Sequence, residues 1–93
     1  MIQMPRAWTE QEEQRIRDVV ERRPLPSFFR GYDVEFGTDW AGDPAVTVWL
    51  LVDTERATTP DEMDAIHGFV QHTGRELVEL GLSHWPYVRF RAP

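Results

Sequence analysis

The chain has 93 residues, which is the length of one domain, and we expect residues 1–93 to fold as a single unit. It contains no cysteine, which excludes a disulfide framework, a thiolate metal site and a cysteine nucleophile. The net charge is −6, concentrated in residues 32–66 with nine acidic residues and one arginine, and this argues against general nucleic-acid binding because phosphate contacts need a positive surface.

The first predicted element is a helix that follows a short tail. Residues 1–7 show no periodic pattern, and we expect them to be flexible. Thr9 and Glu12 have the spacing of a capping box, in which the threonine caps the first turn and the glutamate bonds back to it. The pattern predicts a helix from about Glu10 to Arg23, ended by the proline that follows.

Two strands joined by a tight turn are predicted next. Residues 32–36 alternate apolar and acidic side chains, and residues 45–53 are the most strand-like segment of the chain. Residues 39–44, with the sequence DWAGDP, combine the residue types of a tight connection. They do not form a calcium loop, because Ala41 stands where an oxygen ligand is needed, or a phosphate loop, because a strand follows them. We interpret the segment as a hairpin turn.

A second helix and a last strand complete the chain. Thr59 precedes a proline and two acidic residues, which is the typical start of a helix. Apolar residues at helical spacing predict a helix from about Asp61 to Leu80, and Gly81 is the expected left-handed cap at its end. Residues 85–91 alternate as a last strand.

The order α-β-β-α-β predicts an α+β fold. We expect a two-layer sandwich with a three-stranded, mainly antiparallel sheet and both helices on one face. A right-handed crossover through the second helix makes the last strand parallel to the second strand. The sequence leaves open whether the last strand lies beside the second strand or on the far side of the hairpin.

Catalytic and metal-binding patterns are lacking, and we expect neither an enzyme nor a cofactor or metal. His67 and His72 are five residues apart on the second helix, which is not the spacing of a helical metal pair. Asp64 lies three residues before His67, and such a pair is more often a surface contact than a catalytic base with its orienting group. His84 has no partner that the sequence indicates. The chain has no glycine-rich phosphate loop and no nucleophile signature.

One face of the predicted sheet is the feature of most functional interest. Alternation directs the valines and the leucine at the even positions 46–52 towards the helices and Thr47, Trp49 and Leu51 away from them. A face that meets only water should be polar, and Trp49 and Leu51 do not fit that rule. The neighbouring strands add further side chains on this side. The predicted partner-binding residues are Trp49, Leu51, Trp85, Tyr87, Arg89, Arg91, Asp33 and Glu35.

Aromatic residues and arginine are enriched at the centres of protein interfaces. We therefore expect a small, acidic, bacterial-looking interaction module, antitoxin-, immunity- or adaptor-like, that binds a basic protein or a second copy of itself through this face. An alternative is single-stranded nucleic-acid binding by base stacking, although the acidic residues nearby would repel phosphate. Another is that the N-terminal segment or residues 24–30 cover the face and make it core.

The expected location is the cytoplasm, without membrane contact. No apolar run reaches the length of a membrane span. The first residues lack the basic and then apolar pattern of a signal peptide.

Overall fold

The computed structural model describes residues 6–55 and 59–93, with side chains described from Glu10 onward. The fold is α+β with the predicted element order. The elements are α1 (Arg6–Glu21), β1 (Phe29–Thr38), β2 (Pro44–Val52), α2 (Pro60–Glu79) and β3 (Trp85–Arg91). Residues 1–5 of the predicted tail lie outside the described residues. No helix in the described ranges is long and apolar enough to cross a membrane.

The start of α1 differs from the prediction. The helix begins at Arg6, so Thr9 lies inside it and is not the N-cap. Glu12, the second half of the predicted capping box, instead accepts hydrogen bonds from Ser83, 71 positions later in the chain. A capping-box spacing in a sequence does not show whether the glutamate has a better partner elsewhere, and here it has one.

The predicted ends of α2 are confirmed. The Thr59 hydroxyl accepts the Glu62 backbone N–H at 3.2 Å, and the Glu62 carboxylate accepts the Thr59 backbone N–H at 3.3 Å. This is a complete capping box, which satisfies two backbone donors that the helix itself leaves unpaired. At the other end, Gly81 has a φ of 66°, in the left-handed region that favours glycine.

The sheet is mixed, with the strand order β1-β2-β3. β1 is antiparallel to β2, and β3 is parallel to β2. The parallel direction of β3 confirms the prediction from the right-handed crossover. The strand order answers the question that the sequence left open, because it places the most apolar strand, β2, at the centre.

The turn between β1 and β2 is stabilised by its own backbone and one carboxylate. The Asp39 N–H donates to the Asp43 carbonyl at 2.9 Å, and the Asp39 carboxylate accepts the N–H groups of Ala41 and Asp43 at 2.9 and 3.0 Å. Gly42 has a φ of 84°, which the turn requires. Aspartate side chains in turns commonly accept hydrogen bonds from backbone N–H groups a few residues later, as Asp39 does here. This supports the interpretation of the segment as a hairpin turn.

The hydrophobic core centres on β2. Val46, Val48, Leu50 and Val52 are all at most 1% exposed, as the alternation predicts. Both helices contribute to the same cluster of buried side chains, which includes Ile16, Val19 and Val20 from α1 and Ile66 and Leu77 from α2.

The cross-strand row Tyr32, Leu50 and Phe90 connects the sheet with both helices. The Tyr32 hydroxyl donates to Glu21 at the end of α1, and the Phe90 ring lies 6.1 Å from the ring of His67 in α2. These contacts agree with the expectation that both helices lie on one face of the sheet, which stays a prediction.

Candidate functional site

The strand register places the eight predicted binding residues in adjacent rows. Asp33, Trp49 and Arg89 form one row, and Glu35, Thr47 and Tyr87 form the next. Each of these residues alternates with a residue of the core-facing side, so the rows belong to the opposite side of the sheet. We name this surface the aromatic face and define it by Trp49, Leu51, Trp85, Tyr87, Arg89, Arg91, Asp33 and Glu35.

Trp49 lies under an arginine of the same chain. The guanidinium carbon of Arg91 is 4.6 Å from the centre of the Trp49 ring, and Arg91 Nη2 is 3.3 Å from Asp33 Oδ2. The Arg91 side chain therefore extends from β3 across the indole and reaches Asp33 in β1. A guanidinium over an indole is a favourable cation–π contact. As a result, Trp49 is half-buried and is not an open platform.

The indole N–H of Trp49 is buried and has no hydrogen-bond partner in the described part of the chain. Most buried polar groups in proteins are hydrogen-bonded, and an unpaired donor lowers stability.

The other end of the aromatic face is more open. Trp85, which lies beside Ala45 in the sheet, is 56% exposed. The Tyr87 hydroxyl is 3.5 Å from Asp39 Oδ2, and the guanidinium carbon of Arg89 is 5.6 Å from the Tyr87 ring. Trp85 thus offers the largest accessible aromatic surface among the eight predicted residues.

Sequence analysis missed Trp40. It was interpreted only as a turn residue, but it is 96% exposed at the tip of the hairpin, between Thr38 and Pro44. Trp85 begins β3 beside the first residues of β2, so both tryptophans belong to the same end of the sheet. The signal was available in the sequence, because a large apolar side chain within a tight turn has little chance of reaching the core.

The acidic residues of the face differ in their pairing. Asp33 is neutralised in part by Arg91, although both side chains remain solvent-exposed. Glu35 is exposed and forms no ion pair with the residues that the structure describes. This unpaired carboxylate keeps the β1 side of the face negative.

Residues 24–30 pack on the core. Phe28 and Phe29 are buried, and the Phe29 ring lies 5.4 Å from that of Phe69 in α2. The Asp53 N–H donates to the Phe28 carbonyl at 2.8 Å, which holds this connector at the end of β2. The alternative that the connector covers Trp49 is not supported by these contacts. The part of that alternative that concerns residues 1–5 lies outside the described residues.

A half-buried polar cluster joins α1 to the start of β3. Glu12 Oε1 accepts the backbone N–H and the hydroxyl of Ser83 at 2.6 and 2.7 Å, and Glu12 Oε2 lies 3.1 Å from His84 Nδ1. His84 therefore has a partner that the sequence did not indicate. Burial raises the pKa of Glu12, but the hydrogen bonds from Ser83 and His84 outweigh it, and the net shift is downward.

The Glu12 cluster does not have the geometry of a catalytic triad. A histidine that relays protons bonds its nucleophile with one ring nitrogen and its carboxylate with the other. Here Ser83 Oγ and Glu12 both lie 3.1 Å from the same nitrogen, Nδ1 of His84. The Ser83 hydroxyl itself donates to Glu12. We interpret the cluster as a structural contact between α1 and β3.

A second polar cluster surrounds Glu76 on α2. His72 Nε2 lies 3.1 Å from its carboxylate and Arg22 Nη1 lies 3.6 Å away, while Arg23 donates a short hydrogen bond to it. The hydrogen bond from Arg23 is the main cause that lowers the pKa of Glu76. This places His72 in a polar cluster that links α2 to the end of α1.

The proposed Asp64 and His67 pair gains no support. Both side chains are exposed on α2, and no hydrogen bond joins them in the structure as described. The described residues contain no group of three His, Asp or Glu side chains that could hold a metal ion. They also enclose no pocket.

Comparison with known proteins gives no relative. No family model matches the sequence, and no curated protein or solved structure is significantly similar to the chain.

Proposed function

We propose that this chain is a protein-interaction module that binds a basic partner protein through the aromatic face together with Trp40 at the tip of the adjoining hairpin. The observation that carries the proposal is the exposure of two indoles, Trp85 at 56% and Trp40 at 96%, at the same end of the sheet. Tryptophan is among the residues that contribute most to binding energy at protein interfaces. Two such side chains, on a hairpin and a strand, give a partner a large accessible apolar surface.

The charge around these indoles determines the chemistry of the partner. Glu35 and Asp43 are exposed close to the hairpin end, and the middle third of the chain is strongly acidic. Complementary charge speeds association and excludes partners of the same sign. The partner is therefore a protein whose contact surface carries lysine or arginine around an apolar centre.

Trp49 and Arg91 form the second part of the surface. Arg91 covers the indole and is held at its far side by Asp33, so a partner meets the planar guanidinium rather than the ring. Guanidinium groups form paired hydrogen bonds with carboxylates and carbonyls. Arg91 thus offers orientation, while Trp85 and Trp40 provide the buried apolar area.

The alternative function, single-stranded nucleic-acid binding, is less well supported. Base stacking needs a free aromatic face, and Arg91 occupies that of Trp49. Arg89 lies over the Tyr87 ring, so Trp85 is the most open aromatic residue of the face. Glu35 and Asp33 lie on β1, two strands away from Tyr87. Their charge opposes phosphate.

The experiment is an affinity capture that compares three forms of the chain. Wild type, the double variant Trp40→Ala/Trp85→Ala and the control Val78→Ala are each used as bait in a bacterial lysate. Val78 is an exposed apolar residue on α2, 44% accessible, so its removal controls for a general loss of apolar surface. We expect proteins retained by wild type and Val78→Ala to be lost from the double variant. Retention of the same proteins by all three would contradict the proposal.

A further inference from the structure

β1 is an edge of the sheet. β2 lies on one side of it, and no described strand pairs with its other side. The strand is ten residues long, which gives it a long row of backbone groups that another chain can pair with.

The hydrogen bonds of the hairpin determine which backbone groups of β1 point outward. The bond from the Asp39 N–H to the Asp43 carbonyl makes these two residues a hydrogen-bonded pair. Such pairs alternate with non-bonded pairs along an antiparallel ladder. Thr38 and Pro44 form the next, non-bonded pair, which agrees with the missing N–H of the proline. Continued along the register, the alternation directs the N–H and carbonyl groups of Tyr32, Val34 and Phe36 outward.

The side chains of β1 alternate between apolar and acidic. Tyr32, Val34 and Phe36 are half-buried and pack against the core. Arg17 of α1 lies over the Tyr32 ring, 5.3 Å from its centre, so the open apolar surface of this row comes mainly from Val34 and Phe36. Asp33 and Glu35 are exposed on the aromatic face. A strand laid along this edge would meet an apolar row on one side of the sheet and a carboxylate row on the other.

We propose that the edge of β1 accepts an extended segment of the partner as a fourth strand, with apolar side chains alternating with lysine or arginine. This rests on the proposed function and specifies which part of the partner binds. Strand addition takes its affinity from main-chain hydrogen bonds and its specificity from alternate side chains. Apolar residues would cover Val34 and its neighbours. The basic residues would pair first with Glu35, and then with Asp33, which already contacts Arg91.

The opposite edge, β3, is less suited to strand addition. It contains Pro86, which has no N–H to donate, and the cationic Arg89 and Arg91. Proline and charged side chains are features that protect sheet edges from pairing. β1 also carries charged side chains, Asp33 and Glu35, but it contains no proline, so each of its outward N–H groups can donate. β1 is therefore the more open edge.

A second copy of the chain is a poor occupant of this edge. Two antiparallel β1 strands centred on Val34 would place Asp33 of each copy opposite Glu35 of the other. Like charges directly opposite each other destabilise a strand pair. An alternating basic strand has the opposite charge at the same positions.

The test uses a short synthetic peptide that alternates lysine and valine, with the glutamate and valine counterpart as its control. Amide hydrogen exchange of the whole chain is followed by NMR with and without peptide. We expect the amides of Tyr32, Val34 and Phe36 to exchange about tenfold more slowly when free peptide is about ten times its Kd. Asp33 and Glu35, whose amides already point towards β2, should change little by comparison.

The charge dependence of peptide binding is tested with Glu35→Gln, which removes one carboxylate from the edge and should weaken binding severalfold. The control is Glu79→Gln on the exposed surface of α2, which should not weaken it. Failure of the lysine peptide to bind, or binding without slower exchange at these three amides, overturns the inference. The proposed function would survive either result if the Trp40 and Trp85 variant still loses its partner. Slow exchange without peptide, together with a dimeric mass, would show that a second copy occupies the edge and would also overturn the inference.

Discussion

Arg91 and Trp49 are in contact across two neighbouring strands, with the guanidinium 4.6 Å from the centre of the indole ring. Asp33 holds the same guanidinium from β1 at 3.3 Å. One arginine therefore links the three strands over the aromatic face. It explains how a sheet side with a central tryptophan can meet water, because the charged group covers the apolar ring.

Arg91→Ala should uncover Trp49 without unfolding the chain. The lost cation–π contact and exposed ion pair together amount to about 1 kcal/mol of unfolding free energy, since both groups are solvated. The indole N–H of Trp49 is buried in the wild type, and in Arg91→Ala it should exchange faster with water in a proton NMR experiment. Arg75→Ala, on the exposed surface of α2, is the control. An unchanged indole exchange rate would show that Arg91 does not shield the ring.

Adjacent residues of β2 should differ sharply in their contribution to stability. Leu50 is fully buried, whereas Leu51 is half-buried on the aromatic face. Leu50→Ala should lower the free energy of unfolding by about 2–5 kcal/mol because it leaves a cavity. Leu51→Ala should cost about 1 kcal/mol or less, because its site is already open to water. Urea denaturation measures both, and equal losses would mean that the assignment of the two faces is incorrect.

Replacing Gly81 and Gly68 by alanine should change the stability of the fold in opposite directions. Gly81 has a φ of 66°, where a Cβ is strained, so Gly81→Ala should destabilise the fold by about 1–2 kcal/mol. Gly68 lies within α2 with open space around it, so Gly68→Ala should stabilise by about 0.5–1 kcal/mol. Thermal unfolding distinguishes the two, and a stabilising Gly81→Ala would refute the left-handed cap.

Glu12 should make stability depend on pH in the acid range. Its pKa is lower in the folded chain than its ordinary value of 4.5, so the stabilisation is present above 4.5 and is lost as the pH falls through the folded pKa. Wild type should therefore lose more unfolding free energy between about pH 6 and about pH 3 than Glu12→Gln does.

The control for this effect is Glu79→Gln, which removes one exposed carboxylate from α2. Glu12→Gln should also be less stable at neutral pH by about 1–3 kcal/mol, since the charge-assisted bonds to Ser83 and His84 are weakened. Identical acid slopes for wild type and Glu12→Gln would rule out the contribution of this cluster.

Local patterns predicted much of the fold. The capping box at Thr59, the cap at Gly81 and the alternation in β2 each depend on neighbours within a few residues, and the structure confirms all three. The capping box predicted at Thr9 was wrong: α1 begins at Arg6, and the partner of Glu12 is Ser83, far away in the sequence. Periodicity cannot report a contact of that kind.

The candidate site was predictable only where it depends on local alternation. Alternation was enough to group Trp49 with Tyr87 and Arg89, but it could not show that Arg91 covers Trp49, which depends on the side-chain conformation of a long residue. Trp40 was overlooked because turn chemistry explained its neighbours Asp39 and Gly42 so well. The pairing of His84 with Glu12 likewise required the tertiary structure.

The most direct test of the central claim is a calorimetric titration of the captured partner with wild type, Trp85→Ala and Val78→Ala. If the aromatic face is the contact surface, Trp85→Ala should raise the Kd by about thirtyfold or more, the effect of losing about 2 kcal/mol at an interface hot spot. Val78→Ala should leave the Kd unchanged. Equal Kd values for Trp85→Ala and wild type would contradict the proposal that this face of the sheet binds the partner.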